Sequence, residues 1–222
     1  MHVSLNEIAT TVERAARGAG ATAGVDTEAG AAATWLEARG LPALDPLAAA
    51  LKHGPARGLV LDDGRVALAD ASCAFHAGTL IDLAVARLRS GAGGLKVTDA
   101  RDPLFLVAAA ERFARTGLAL TIAWDGAEVR FDAAGALALH GAVLVPASDV
   151  NVDVRVAGPP PRAAATLAAT ALDRRWRDAI ARGVDVDPAT WTRLRDFARR
   201  TYVPASALSR SRGAGAEVDD SA

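Results

Sequence analysis

The segment Val150-Asn151-Val152-Asp153-Val154-Arg155-Val156 alternates apolar and polar residues without a break. Successive side chains of a β-strand point to opposite faces, so the valines face one way and Asn151, Asp153 and Arg155 face the other. This pattern is typical of a sheet with one buried face and one solvated face. The segment closes the stretch from Gly58 to Ala157, which holds nearly all of the strand patterns and around which the rest of the chain is organised.

The remainder of this stretch mixes strands, turns and helices. Asp62-Asp63-Gly64 and Asp125-Gly126 predict tight turns, each between two strands. Apolar residues at helical spacing predict helices over Leu80–Leu88 and Leu104–Arg115. Because helices join some strands and hairpins join others, the sequence predicts an α+β fold with a mixed, largely antiparallel sheet. The other predicted strands are Leu59–Leu61, Val66–Ala69, Leu95–Val97, Leu118–Trp124, Val129–Phe131, Ala136–His140 and Ala142–Val145.

Helical patterns flank the sheet on both sides. Ser4-Leu5-Asn6-Glu7 has the form of a capping box, and three short amphipathic patterns predict a helical layer over residues 1–56. Residues 162–208 are predicted to form two C-terminal helices and a short latch. We therefore expect one α+β domain over residues 1–208, with its sheet-containing core at 58–157 and a flexible tail at 209–222.

Composition excludes several classes of protein. With 25 basic and 26 acidic residues in 222, the net charge is −1, which does not suggest nucleic-acid binding. The single cysteine, Cys73, cannot form an intramolecular disulfide, and the histidines lack metal-ligand spacing, so no metal site is predicted. Without an apolar run of membrane-spanning length, we expect a soluble cytoplasmic protein with no membrane partner.

Asp70-Ala71-Ser72-Cys73-Ala74-Phe75-His76 places a carboxylate, a thiol and an imidazole between a predicted strand and a predicted helix. A cysteine nucleophile needs a neighbouring base or a positive field to become a thiolate. His76 is a candidate base, and Asp70 is a candidate to orient it. This hypothesis requires Cys73 to be exposed and to have a lowered pKa. The alternative is a small buried cysteine beside a partly exposed histidine.

The C-terminal segment holds a second candidate site, made of Tyr202, Pro204, Ser206 and Arg210. An aromatic anchor and a proline of fixed φ suit a segment that docks across a groove or a neighbouring subunit. A local core latch is the alternative. The arginine-rich helices that precede this segment could hold a small acidic ligand, and solvated helix faces explain those arginines equally well.

Two groups of residues resemble an uncharacterised bacterial family known only as a domain of unknown function. One group is Thr201-Tyr202-Val203-Pro204-Ala205-Ser206 with Ser209-Arg210 and Gly213–Ala216. The other is Ser4–Ile8, Ala15–Gly20 and Glu28-Ala29-Gly30, ending at Trp35-Leu36. The resemblance implies that the family spans essentially the whole chain. It brings no activity, cofactor or catalytic residue.

Two functions follow from the sequence. The favoured one is a non-catalytic binding or assembly subunit, a homo-oligomer or the accessory partner of another protein. The alternative is a small-molecule enzyme of the hydrolase or transferase type that uses Cys73 with His76. The sequence names no cofactor.

Overall fold

The computed structural model describes residues 1–56, 59–68, 71–145, 147, 149–158 and 165–202. The helices among them are α1 (Leu5–Gly18), α2 (Val25–Glu37), α3 (Leu44–Ala50), α4 (Ala77–Arg89), α5 (Leu104–Ala114), α6 (Ala169–Arg182) and α7 (Pro188–Arg199). The strands are β1 (His2–Val3), β2 (Leu61–Asp62), β3 (Arg65–Ala67), β4 (Leu95–Ala100), β5 (Leu120–Trp124), β6 (Ala127–Phe131), β7 (Leu137–Gly141), β8 (Val150–Val156) and β9 (Val184–Asp185). A short 3-10 helix, Cys73–Phe75, precedes α4.

The main sheet has its described strands in the order β2-β3-β4-β8-β5-β6-β7. Strands β3 and β4 are parallel, and every other neighbouring pair is antiparallel. A parallel pair requires a crossover, which α4 supplies between β3 and β4. The predicted α+β class with a mixed, largely antiparallel sheet is confirmed.

The two faces of the sheet differ as the β8 pattern predicts. Val150, Val152 and Val154 are buried, and helices α4 and α5 pack against this side of the sheet. On the opposite face, Arg155 of β8 lies within 3.1 Å of Glu128 on β6 and 3.2 Å of Asp153. The apolar face therefore anchors the core, and the polar face carries ion pairs.

A second layer of helices covers α4 and α5. The capping box predicted at Ser4 is present, and α1 packs against both α2 and α7. Helix α2 in turn contacts α5 and the 3-10 helix. Strands β1 and β9 form a separate two-stranded sheet that joins the N-terminus to the connection between α6 and α7. The order of layers is sheet, α4 and α5, then the N-terminal helices with α7.

Some local predictions need correction. The strand predicted over 142–145 is a turn, because Gly141 has a φ of +75° and the Val145 N–H donates to the Ala142 carbonyl at 3.1 Å. The predicted tail at 209–222 lies outside the described residues. Among the residues that are described, no helix is long and apolar enough to span a membrane.

Candidate active site

The loop that follows β3 is pinned against the end of β4. Ser72 forms an isolated parallel bridge with Arg101, and the Cys73 N–H donates to the Arg101 carbonyl at 2.9 Å. The Ser72 hydroxyl then accepts from the Ala74 N–H at 3.1 Å and caps the 3-10 helix. Two segments separated by about thirty residues in sequence thus meet at one edge of the sheet.

Ser72 and Asp102 form a partly buried polar pair at this edge. The Ser72 hydroxyl donates to Asp102 Oδ2 at 2.7 Å, and Ser72 is only 4% exposed. Burial raises the pKa of the Asp102 carboxyl, while the Ser72 hydrogen bond and Arg101 oppose that rise. A carboxyl group in this environment holds its proton at a higher pH than an exposed aspartate does.

Three aspartates at the same edge have a backbone conformation that is uncommon for residues other than glycine. The φ angles of Asp99, Asp102 and Asp149 are +53°, +55° and +57°. Arg101 links two of these loops, because its Nε lies 3.7 Å from Asp149 Oδ1. Left-handed residues that cluster in this way are frequent at active sites, where the surrounding structure holds the strain.

Cys73 does not meet the two conditions that a nucleophile requires. Its side chain is fully buried at the centre of the core, with an exposed fraction of 0%. Burial strongly raises the pKa of the Cys73 thiol, and the neighbouring Asp102 raises it further. Loss of water and a nearby negative charge both disfavour the thiolate. In this structure the thiol is an apolar core group.

His76 lies at the N-terminal end of α4 and lines a cleft of about 710 Å³. The loops that follow α1 and α3 form the opposite walls of this cleft. Burial lowers the pKa of His76, so its ring is neutral near pH 7. Its Nε2 accepts a hydrogen bond from the Ala56 N–H at 3.0 Å. In the tautomer that this bond assigns, the proton of the neutral ring is on Nδ1.

The other predicted site residues are not brought together in the described structure. Asp70, the predicted orienting group, lies outside the described residues, and so do Pro204, Ser206 and Arg210. Tyr202 is described; it is 57% exposed, and the Arg14 guanidinium lies 5.9 Å from the centre of its ring. The described part of the chain contains no cluster of three or more side chains that could hold a metal ion.

Sequence reasoning passed over the pair that organises this edge. Ser72 belongs to the stretch Asp70–His76, in which Asp70, Cys73 and His76 are the predicted site residues, and Asp102 is not among the predicted site residues. A signal for Asp102 was present, because a carboxylate directly after a strand and before Pro103 is a typical position for a site residue. No periodicity could have paired it with Ser72.

The overall fold resembles that of several dehydrogenases. Malate dehydrogenase from Entamoeba histolytica superposes with a TM-score of 0.60 at 6% identity, over 92% of this chain and 99% of that one. Sulfolactate dehydrogenase from Methanocaldococcus jannaschii gives 0.58 at 6% identity, over 90% and 97%. A dehydrogenase from Sinorhizobium meliloti gives 0.61 at 9% identity, over 89% and 99%. At these identities the likeness concerns the fold.

The sequence comparisons match a shorter part of the chain. Residues 3–88 match the model of a family described as a protein of unknown function, DUF3726. This match supports the predicted resemblance to a domain of unknown function over the N-terminal part of the chain. No curated protein sequence matches the chain.

These comparisons contradict the function that the sequence favoured. The sequence predicted a non-catalytic binding or assembly subunit, but the fold over nearly the whole chain is one that dehydrogenases adopt. The sequence favoured the wrong function because it contains no compact catalytic motif. The polar residues at the edge of the sheet come together only through the parallel pairing of β3 and β4.

Proposed function

We propose that this protein is a small-molecule enzyme of the oxidoreductase class that acts on a small hydroxy acid or oxo acid in the His76 cleft. The observation that carries the proposal is a buried, neutral imidazole lining a cleft of substrate size, on a fold shared with dehydrogenases. The possible small acidic ligand expected from the sequence belongs to this substrate class.

The protonation of His76 defines its role. Because Nε2 accepts from Ala56, Nδ1 is the ring atom that carries a proton to donate. A neutral imidazole that donates to a carbonyl oxygen polarises the carbonyl and stabilises the negative charge that develops there. When the hydrogen beside the carbonyl of an oxo acid exchanges, that proton leaves to the medium, the electron pair moves onto the carbonyl oxygen, and a proton from the medium returns to the carbon. His76 orients and polarises that oxygen throughout.

Ser72 and Asp102 have a different role, because neither lines the described cleft. Their hydrogen bond fastens the start of the 3-10 helix to the loop after β4, and His76 follows that helix directly. They are positioning residues. A displacement of about 1 Å in a catalytic group can cost about 100-fold in rate, so the pair influences catalysis through the placement of His76.

An oxidoreductase also requires a hydride donor or acceptor such as a nicotinamide dinucleotide. Proteins hold its phosphates with basic side chains or with free N–H groups at a helix N-terminus. The described lining of the cleft includes no arginine or lysine. The start of α2 also borders the cleft, but the Asp26 carboxylate already accepts the N–H groups of Gly24 and Thr27. These residues do not fit the several charges of the dinucleotide phosphates, and we derive no step through such a cofactor. A single carboxylate can instead accept from neutral donors such as the Thr22 and Thr79 hydroxyls of the cleft.

Two assays test the proposal. The first measures oxidation or reduction of a panel of hydroxy and oxo acids with nicotinamide nucleotides or an artificial electron acceptor. The second needs no redox cofactor: it follows by NMR the exchange of hydrogen for deuterium beside the carbonyl of the oxo acids, since polarisation of the carbonyl acidifies that position.

His76→Gln should lower either activity by about 100-fold, the usual effect of removing one donor to a developing oxyanion. His53→Gln, which alters another histidine of the same cleft, should retain most of the activity. No activity in either assay across the panel, or a His76→Gln variant as active as the parent, would overturn the proposal.

We further propose that the protein acts in the bacterial cytoplasm, which is supported by its free, buried cysteine. Self-association remains a prediction of the sequence. Native mass spectrometry tests it, because a homo-oligomer gives an integral multiple of the chain mass.

A further inference from the structure

A second pocket, of about 230 Å³, adjoins the His76 cleft. We call it the side pocket. Val25 and Phe75 line both cavities, so the two cavities meet at these side chains. The side pocket extends from this junction between α2, α5 and the first turn of α4. A substrate held at His76 therefore has this pocket as a neighbouring space for its side chain.

Small apolar residues create the side pocket. Its lining includes Ala31 and Ala32 of α2, Ala108 and Ala109 of α5, and Gly78 of α4. Larger side chains at these positions would fill the space. An apolar cavity of about 150 Å³ binds benzene in another protein, so 230 Å³ suits a phenyl ring or a branched alkyl chain.

One residue of the pocket lining also carries an unpaired polar atom. Trp35 lines the pocket, it is 8% exposed, and its Nε1 has no hydrogen-bond partner among the described residues. Buried polar groups are rarely left unpaired, and this one lies beneath the surface of the pocket.

The charges at the rim select against acidic side chains. The charged residues of the described lining are Glu28, Glu111 and Arg112, which are two carboxylates and one guanidinium, and Arg112 lies 3.6 Å from Glu28. The Glu28 carboxylate lies directly over Gly78, where an added Cβ would be 1.9 Å from its Oε2. A second anionic group on the substrate would meet this net negative rim and then an apolar interior, where an unpaired charge is costly.

We propose that the side pocket selects the substrate's side chain, and that the substrate is a monocarboxylate with an apolar side chain rather than a dicarboxylate. This inference rests on the proposed function, which places the carboxylate end of the substrate in the His76 cleft. The proposed substrate therefore differs from malate, the compound in the name of one structural neighbour. Malate carries a second carboxylate in place of an apolar side chain.

The test measures binding and not turnover. Purified full-length protein is titrated with 3-phenyllactate and with malate, by calorimetry and by tryptophan fluorescence. We expect 3-phenyllactate to bind at least about ten-fold more tightly, the lower end of what a hydrophobic pocket discriminates. Ala108→Leu should abolish this preference. Ala171→Leu on α6, which is half-buried and outside the pocket, should retain it.

Each outcome decides a separate point. Malate binding as tightly as 3-phenyllactate, or a folded Ala108→Leu variant with unchanged preference, overturns the side-pocket inference. If Ala108→Leu does not fold, Ala109→Val makes the same test with a smaller added volume. Selective binding of 3-phenyllactate without turnover or exchange would refute the proposed function and leave the pocket assignment standing. Turnover at the same rate whatever the substrate's side chain would support the proposed function and refute the side-pocket inference.

Discussion

Replacing Ser72 with alanine should lower the free energy of unfolding by about 2–5 kcal/mol near pH 7. The change removes a 2.7 Å hydrogen bond to the Asp102 carboxyl, and hydrogen bonds to charged groups are worth about 1.5–3 kcal/mol. It also removes the cap on the Ala74 N–H, for which a serine-to-alanine change costs about 0.5–2 kcal/mol. Ser72 is buried, so water cannot replace either bond at low cost.

The pH dependence of the cost of Ser72→Ala tests whether the Asp102 carboxylate is the partner of Ser72. Burial raises the folded-state pKa of Asp102 above its unfolded value, so protonation favours the folded state at low pH, and this advantage is lost as the pH rises through the folded-state pKa. Without Ser72 that pKa rises further. The cost of Ser72→Ala should therefore be smaller near pH 4, where a larger share of Asp102 is protonated, than near pH 7.

Urea unfolding of four proteins measures the effect: the parent, Ser72→Ala, Asp102→Asn and the double variant. Asparagine retains the shape of Asp102 and tolerates its positive φ. In the Asp102→Asn background the serine change should cost about 1 kcal/mol less, because only a neutral hydrogen bond and the cap remain. Ser90→Ala, which removes an exposed bond to the Arg87 carbonyl, is the matched control and should cost under about 0.5 kcal/mol. An equal cost in both backgrounds and at both pH values would refute the reasoning.

Three further predictions concern other parts of the structure. Cys73 is fully buried with a raised thiol pKa, so the native protein should resist a small alkylating reagent near neutral pH, and rapid labelling before unfolding would contradict that placement. Burial lowers the folded-state pKa of His76, so the neutral ring contributes stability above about pH 6.5, and that contribution is lost as the pH falls through the folded-state pKa. His76→Gln should make the unfolding free energy less dependent on pH in this acidic range, and an unchanged slope in urea titrations would show that His76 does not cause it. Gly18→Ala in α1 should destabilise the protein by about 1–3 kcal/mol, although helix propensity alone predicts a gain, because the new Cβ would lie 2.1 Å from the Phe197 carbonyl oxygen. Gly158→Ala, with open space around it, is its control in thermal unfolding, and equal effects of the two changes would refute the close approach of α1 and α7.

Local patterns in the sequence predicted much of the fold. The alternation in Val150–Val156 identified β8 and its buried face, and Asp125-Gly126 identified the hairpin of β5 and β6. The signals in both cases lie within a few residues of the structure that they determine. The strand predicted over 142–145 failed for the same reason, since a short apolar run resembles a strand whether or not a partner is available.

The candidate site was harder to predict because its contacts are not local. Ser72 and Asp102 are thirty residues apart, and no spacing rule connects them. Cys73 and His76 are close in sequence, yet the 3-10 helix between them places the thiol in the core and the imidazole on the cleft. A motif of suitable residue types therefore suggested a catalytic pair that the backbone separates.

The topology explains why the polar residues gather at this edge. Strands β3 and β4 are the parallel pair of the described sheet, so the segments that leave their carboxyl ends emerge side by side. These segments supply Ser72 and Asp102. Strand β8 runs antiparallel to β4, and its N-terminal end, which follows Asp149, arrives at the same edge. Antiparallel pairing of β3 and β4 would send the two segments to opposite edges. The crossover through α4 is thus the structural reason why Ser72 and Asp102 meet at this edge, at the start of the 3-10 helix that leads into His76.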